Sequence, residues 1–351
     1  LSPPLSNSAM WARTSINRAA APADIGGWTE LDRVSSPTSD RFTVSCLADK
    51  EYYMILSNTV NSGTTDHDYR VGNCTIDTGN SYSRRTSVCG GGDAALMCSN
   101  FMSATTAGST QFFEIQYIYN VSGDEKLGVA HAMDQEAAGA AAIPSRDEMS
   151  HKWDCTCNPI DTIQLLNSGG TFTSGEMVVL GWDICDTHGT ACNFWEQLAS
   201  IGPTSCTQAN LDTGTITAKK YLKVESYTTS SCGNNDNLYR FNNDSCMNYS
   251  LRHRVDNGTE TTLMCQTTAG FQHAVSTPRF STIFIINVSA QEKLMMGDAS
   301  YQSTAGECAT TSREEFAGKW TNTSAQITDI QLETSTGCFA AGSYLTVWGS
   351  N

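Results

Sequence analysis

The densest collection of metal-ligating side chains lies in Cys185-Asp186-Thr187-His188-Gly189-Thr190-Ala191-Cys192, two thiols and an imidazole within eight residues. Zinc sites take four ligands, in Cys-x-x-Cys or spaced-His patterns, and this segment has neither. A disulfide between Cys185 and Cys192 is therefore the first expectation, free thiols the second and a metal the third. Cys155 and Cys157 are too close together to bond each other without strain, so each needs another partner or none. Two further segments, Asp66-His67-Asp68 and Asn234 to Asp244, are rich in the oxygens that calcium uses, but no Asp-x-Asp-x-Asp-Gly loop appears in either. They read as solvated loops. Tyr69, Tyr82, Tyr239 and Tyr249 lie in or near these segments. A tyrosine offers an apolar face with a polar tip, which makes the four candidate surface contacts for a sugar.

Catalytic motifs are missing. There is no Gly-x-Ser-x-Gly elbow, no Gly-x-x-x-x-Gly-Lys loop and no His-Glu-x-x-His pair. The six histidines are scattered. The sequence therefore predicts no enzyme, no catalytic residue, no cofactor and no metal. A glycan-degrading enzyme working with two carboxylates is the class left open, because its residues converge from distant loops.

An internal duplication must position whatever the chain does. A shift of 167 residues places Asn120-Val121-Ser122 on Asn287-Val288-Ser289, Glu125-Lys126-Leu127 on Glu292-Lys293-Leu294, and Lys152-Trp153 on Lys319-Trp320. Over positions 120 to 180, 25 of 61 residues match their partners without a gap. Leu96-Met97-Cys98 falls on Leu263-Met264-Cys265, and Ser145-Arg146 on Ser312-Arg313, at the same shift. A repeat of this length is read before any other feature, because it sets the fold. The chain divides into an extended N-terminal arm (1–26), repeat 1 (27–183), a linker (184–193) and repeat 2 (194–351).

Each repeat is patterned for strands. Arg41 to Leu47 alternates apolar and polar residues, the period of a half-buried strand. Glu51 to Leu56, Gln111 to Tyr119, Ile160 to Leu166 and Met177 to Trp182 are further candidates. Repeat 2 offers Lys220 to Val224, Arg279 to Val288, Ile327 to Leu332 and Tyr344 to Trp348. Asp134 to Ala142 is Ala/Gly-rich and reads as a loop. Seven to nine strands per repeat, without βαβ alternation, predict an all-β chain of two tandem antiparallel β-sandwich domains, jelly-roll-like. Trp153 and Trp320 are assigned to equivalent core sites, and Gly175 and Gly342 to the turn before each final strand. Arg146 with Glu148, and Arg313 with Glu315, are expected to pair across a loop.

Composition narrows the class. Lys plus Arg number 21 against 36 Asp plus Glu, a net charge of −15, which argues against binding nucleic acid. No apolar run approaches the ~20 residues of a membrane span, so membrane insertion is not expected. The chain begins at Leu1 with no signal-peptide core, which predicts a processed or trimmed chain. Fourteen cysteines in a Ser/Thr/Asn-rich chain predict disulfides and an oxidising environment. Seven Asn-x-Ser/Thr sequons fit an exposed protein only weakly, since Asn- and Thr-rich chains produce them by chance.

In repeat 2 the order is Lys220-Tyr221-Leu222, then residues 239–244, 248–252, the turn at 257–258, the strand pair at 287–294, and 313–320. The last strand lies in Gly-Ser-Tyr-Leu-Thr-Val-Trp-Gly, 342–349. This pattern resembles a β-rich module of structural proteins (fibre, tail-appendage or capsid-decoration) from marine tailed phages and related environmental viruses. The resemblance covers nearly all of the chain beyond the arm. It implies a virion surface structural protein acting through assembly contacts, as a homo-oligomer with other virion proteins as partners. A receptor- or glycan-binding adhesin, at a fibre tip or secreted, is the alternative, with a host-surface glycan as partner. Virion surface or extracellular space is the implied location.

Overall fold

The computed structural model describes residues 27–35, 39–63, 65–156, 158–183, 193–205, 207–256, 258–302 and 310–351. The arm 1–26 and the Cys185/Cys192 pair lie outside the described residues, as does most of the linker.

Repeat 1 opens with β1 (Thr29–Ser35), β2 (Arg41–Val44), β3 (Tyr52–Asn61) and β4 (Thr65–Asn73). It continues through β5 (Thr75–Ile76), β6 (Tyr82–Val88), β7 (Ala94–Ser99), β8 (Ser103–Ala107) and β9 (Gln111–Tyr119). It closes with β10 (Lys126–Asp134), β11 (Asp147–Trp153), β12 (Thr162–Asn167) and β13 (Phe172–Trp182). Repeat 2 begins with β14 (Glu196–Ile201), β15 (Asn210–Asp212), β16 (Tyr221–Thr228), β17 (Ser230–Cys232) and β18 (Asn235–Phe241). There follow β19 (Tyr249–Val255), β20 (Thr261–Gln266), β21 (Ala269–Val275), β22 (Arg279–Ile286) and β23 (Lys293–Gln302). The last are β24 (Thr311–Trp320), β25 (Ile330–Glu333), β26 (Cys338–Phe339) and β27 (Tyr344–Ser350). The strands outnumber the seven to nine expected per repeat because short edge strands carry little periodicity.

In repeat 1 an eight-stranded sheet, ordered β1-β13-β3-β9-β10-β11-β6-β7, covers a smaller one, β2-β12-β4-β5 with β8 beside β4. Repeat 2 has the same large sheet, β14-β27-β16-β22-β23-β24-β19-β20, over β15-β25-β18-β21. All pairings are antiparallel. The chain passes repeatedly from one sheet to the other, giving two jelly-roll-like β-sandwiches. A disulfide, Cys232–Cys338, joins β17 to β26.

The cores explain the apolar spacing. Phe42, Tyr53, Ile55, Tyr69, Trp153, Ile163 and Val179 fill the first sandwich. Leu222, Val224, Tyr239, Tyr249, Ile283, Met295 and Trp320 fill the second. Along β3, Tyr53 and Ile55 face this interior, whereas Met54 and Leu56 point to the opposite side of the sheet. That opposite side is also buried, which is why Tyr52 to Leu56 in β3 and Met177 to Leu180 in β13 are continuously apolar instead of alternating.

Polar networks recur at equivalent places. The Trp153 indole N–H donates to Asp77 at 2.8 Å and that of Trp320 to Asp244 at 2.7 Å. The Asn120 side-chain oxygen accepts the Ile160 N–H at 2.6 Å, and Asn287 accepts that of Ile327 at 2.7 Å. Both asparagines are sequon residues, 1% and 0% exposed, and their amides are spent inside the fold. Gly342 precedes β27 in a turn at φ +91°. Gly175 is different from the expectation: it lies inside β13, next to a register shift, at φ +133°. A Cβ there would stand 2.3 Å from the Asn58 carbonyl oxygen, so the glycine permits close strand approach, not a turn.

Candidate functional site

The outward faces of the two large sheets meet. Met54, Leu56, Phe113, Ile115, Met133, Val178 and Leu180 of repeat 1 pack on Tyr221, Ile286, Leu294, Met296, Ala317 and Trp348 of repeat 2. Phe194 and Trp195, at the start of repeat 2, join the same cluster. This third core is as apolar as the sandwich interiors and fuses the repeats into four stacked layers.

The segment between β10 and β11, residues 135–146, leaves repeat 1 and lies across β23, β24, β19 and β20. Nearly every contact is to its backbone. Lys319 Nζ donates to the carbonyls of Gln135 and Ala137. The Gly139 N–H donates to Glu292 at 2.6 Å, and the Cys265 N–H to the Ala140 carbonyl at 3.0 Å. Ser250 donates to the Ala142 carbonyl at 2.7 Å and Arg252 Nε to that of Pro144. Arg146 ends the segment, 3.0 Å from Glu315, 3.3 Å from Glu148 and 3.5 Å from Glu260. Small side chains let this backbone approach closely, and Gly139 takes φ +91°.

Buried charges are matched across the seam. Glu176 on β13 accepts from the Tyr221 hydroxyl at 2.5 Å and lies 2.6 Å from Lys220 and 3.2 Å from Arg33. Burial alone would raise its carboxyl; the hydrogen bonds from Lys220 and Tyr221 outweigh it and hold the group below the usual range. Burial pushes the Lys319 amine down, opposed by Glu292 at 3.3 Å.

One equivalent pair of the duplication meets across the seam. His131 and Asp298 hold the same place in the two copies and approach to 4.0 Å. On one side of them the sheets are packed. On the other they part into a cleft of about 520 Å³, lined by Arg85, Val129 and Glu148 from repeat 1 and by Phe280, Ser300 and Arg313 from repeat 2. Glu148 and Glu315 both line it, and burial together with the neighbouring Glu148 raises the Glu315 carboxyl. The expected partners meet, but along strands and not across a loop: Arg146 with Glu148 at the start of β11, and Arg313 with Glu315 at 2.7 Å within β24. What the spacing did not disclose is that Arg146 also bridges to the other repeat.

The four tyrosines require a correction. Tyr69, Tyr82, Tyr239 and Tyr249 are at most 2% exposed. Their hydroxyls serve interior partners: Ser57, the Val71 carbonyl, Ser226 and the Phe241 N–H respectively. They sit on strands whose inward positions they occupy, so they are core residues with satisfied hydroxyls and not surface contacts. Trp153 and Trp320 are buried in equivalent positions, 3% and 0% exposed. His67 is also interior, bonded to Asn61 at 2.8 Å, and burial lowers its pKa to about 3. Among the described residues no three His, Cys, Asp or Glu side chains are grouped as metal ligands would be. The seam residues Glu176, Lys319 and Arg252 escaped sequence reading because polar residues on strands ordinarily face water.

No family model matches the chain, and no curated protein does. Among solved structures it is similar to mouse laminin alpha1 chain domains LG4-5, at 10% identity over 93% of this chain and 90% of that one, with a TM-score of 0.18. Neisserial surface protein A aligns at 8% identity over 81% of this chain and 97% of that one, with a TM-score of 0.11. At these scores the fold rests on the strand pairing itself. Among the described residues no helix is long and apolar enough to cross a membrane.

Proposed function

We propose that this chain is a virion surface structural protein, a decoration or appendage subunit, acting by contact and not by chemistry. The supporting observation is an inequality between equivalent positions. Leu294 and Met296 in repeat 2 are covered by protein, at 0% and 5% exposure, while their counterparts Leu127 and Val129 in repeat 1 stand 53% and 47% exposed. Leu96 at 46% and Met97 at 79% add exposed apolar surface on the edge strand β7 of the same sheet, which fits a protein contact. The disulfide fits an oxidising location outside the cell.

Electron microscopy of native particles carrying an antibody label on this chain tests the reading. Regular label over a shell or along a filament supports it. Label confined to appendage tips favours the adhesin, and label found only off particles rejects the structural reading.

A further inference from the structure

The surface that holds residues 135–146 on repeat 2 exists a second time on repeat 1. Its repeat 2 members are Lys319, Glu292, Cys265, Ser250, Arg252 and Glu315. At the 167-residue shift the same types recur as Lys152, Glu125, Cys98, Ser83, Arg85 and Glu148. Asp93 stands where Glu260 does, keeping the charge. These positions also share local backbone: Cys98 and Cys265 both end their edge strands at φ +52° and +53°.

The two surfaces differ in what covers them. In repeat 2 the Lys319–Glu292 pair is 0% and 4% exposed; in repeat 1 Lys152–Glu125 is 40% and 43% exposed. Arg85 and Asp93, 3.6 Å apart, are 58% and 54% exposed. A groove of about 440 Å³ runs along this face, between Ser83, Arg85, Leu96, Leu127 and Lys152.

What fills it can be read from its twin. The twin binds the backbone carbonyls of Gln135, Ala137, Ala140, Ala142 and Pro144 and the Gly139 N–H, along a small-residue segment that includes Ala140-Ala141-Ala142-Ile143-Pro144. The duplicate of this segment, 302–313, has lost the alanine run and the proline, with Glu307-Cys308 for Ala140-Ala141 and Thr310-Thr311 for Ile143-Pro144; the chain's other run of three alanines with a proline beside it is Ala19-Ala20-Ala21-Pro22, in the arm. We infer that the arm of a neighbouring copy, through residues 18–24, seats in the repeat 1 groove. Laid in the direction of residues 135–146, it brings Arg18 to the Glu125 end and Asp24 to Arg85, so the charges complement.

Reach selects a neighbour over the same chain. The arm joins β1, and six strand spacings separate β1 from β6 in the sheet order, about 29 Å at ~4.8 Å each. Five residues from Pro22 to Gly27 span at most about 18 Å. Its own groove is therefore out of range, and the arm exchanges between subunits. Reciprocal exchange closes a dimer, and one-way passing of the arm builds rings or filaments.

This inference rests on the assembly reading, and the tests separate the two. A fluorescent peptide of residues 15–26 is titrated into full-length protein, followed by anisotropy. Saturable binding, weakened at least tenfold by Lys152→Ala with Arg85→Ala, is expected. The same pair in repeat 2's copy of the site is not touched, and both side chains are exposed, so folding is preserved; circular dichroism checks it. Sedimentation of the full chain must show concentration-dependent association that the same double variant reduces. The variant Ala19→Cys, oxidised by glutathione disulfide, must give an intermolecular disulfide between the introduced thiol and Cys98, read by mass spectrometry. In that step the two thiols lose two protons and two electrons to the glutathione disulfide. No peptide binding, or binding and association that the double variant leaves unchanged, overturns the groove. Particle labelling that remains regular in that case leaves the structural role standing on other contacts.

Discussion

His131 and Asp298, 167 residues apart and equivalent in the duplication, face each other at 4.0 Å across the seam. The two sides of the seam at this pair are not alike. One is a packed core and the other an open cleft, so the duplication has been fused asymmetrically. Residues 135–146 account for the packed side.

Arg146 is the charge on which that side depends. It is 4% exposed and is approached by Glu148, Glu260 and Glu315. Arg146→Ala leaves buried carboxylates uncompensated and is expected to cost about 3–5 kcal/mol in urea unfolding. Arg313→Ala, at the equivalent but 54% exposed position, is expected to cost less than ~1 kcal/mol. Equal costs would show that the two sides of the seam are alike after all.

Stability should fall between about pH 6.5 and 8. Burial raises Glu114 to about 8 and Asp147 to about 7. Raised carboxyls bind protons in the folded state that the unfolded chain has released, so the stability they confer is lost as pH rises through those values. His67 and His151, lowered by burial to about 3 and about 4, act oppositely: they lose stability as pH falls below 6.5. Between pH 4 and 6.5 the two sets oppose each other; above 6.5 the carboxyls dominate, at about 1.4 kcal/mol per proton per pH unit, until the Lys293 amine, lowered by burial to about 8, turns the slope the other way. Urea midpoints measured across this range check it, and Glu114→Gln should flatten the upper slope.

Asn287→Ala should destabilise repeat 2 by about 2–3 kcal/mol, because it strands the Ile327 N–H and takes a donor from the Lys219 carbonyl. Asn120→Ala should do the same to repeat 1 through Ile160 and Lys50. Thermal unfolding checks both. A neutral result at either would mean the sequon asparagine is kept for a glycan and not for the fold.

Cys232→Ser with Cys338→Ser opens a loop of sequence separation 106. Loop-closure entropy predicts a loss of about 4–5 kcal/mol. Calorimetry with and without reductant reads it, and reductant should lower the unfolding temperature of the wild type but not of the double variant.

The duplication, the all-β character and the placement of Trp153 and Trp320 could be read from residue spacing, because a repeat shift and a strand period are local properties of the chain. Gln111 to Tyr119 was legible to its last residue, since alternation there ends at a sharp polar boundary. Which side of a strand meets what was not legible. Period two separates two faces but does not say that both of them are dry, so Met54 and Val178 gave no warning of a third core. The tyrosines misled for a related reason: a polar tip next to Asn-rich segments looks wet until the partner that satisfies the hydroxyl is known. Lys152 and Lys319 make the division plainest. In sequence they are the same residue in the same motif, and only the packing of one repeat on the other decides that one is solvated and the other buried.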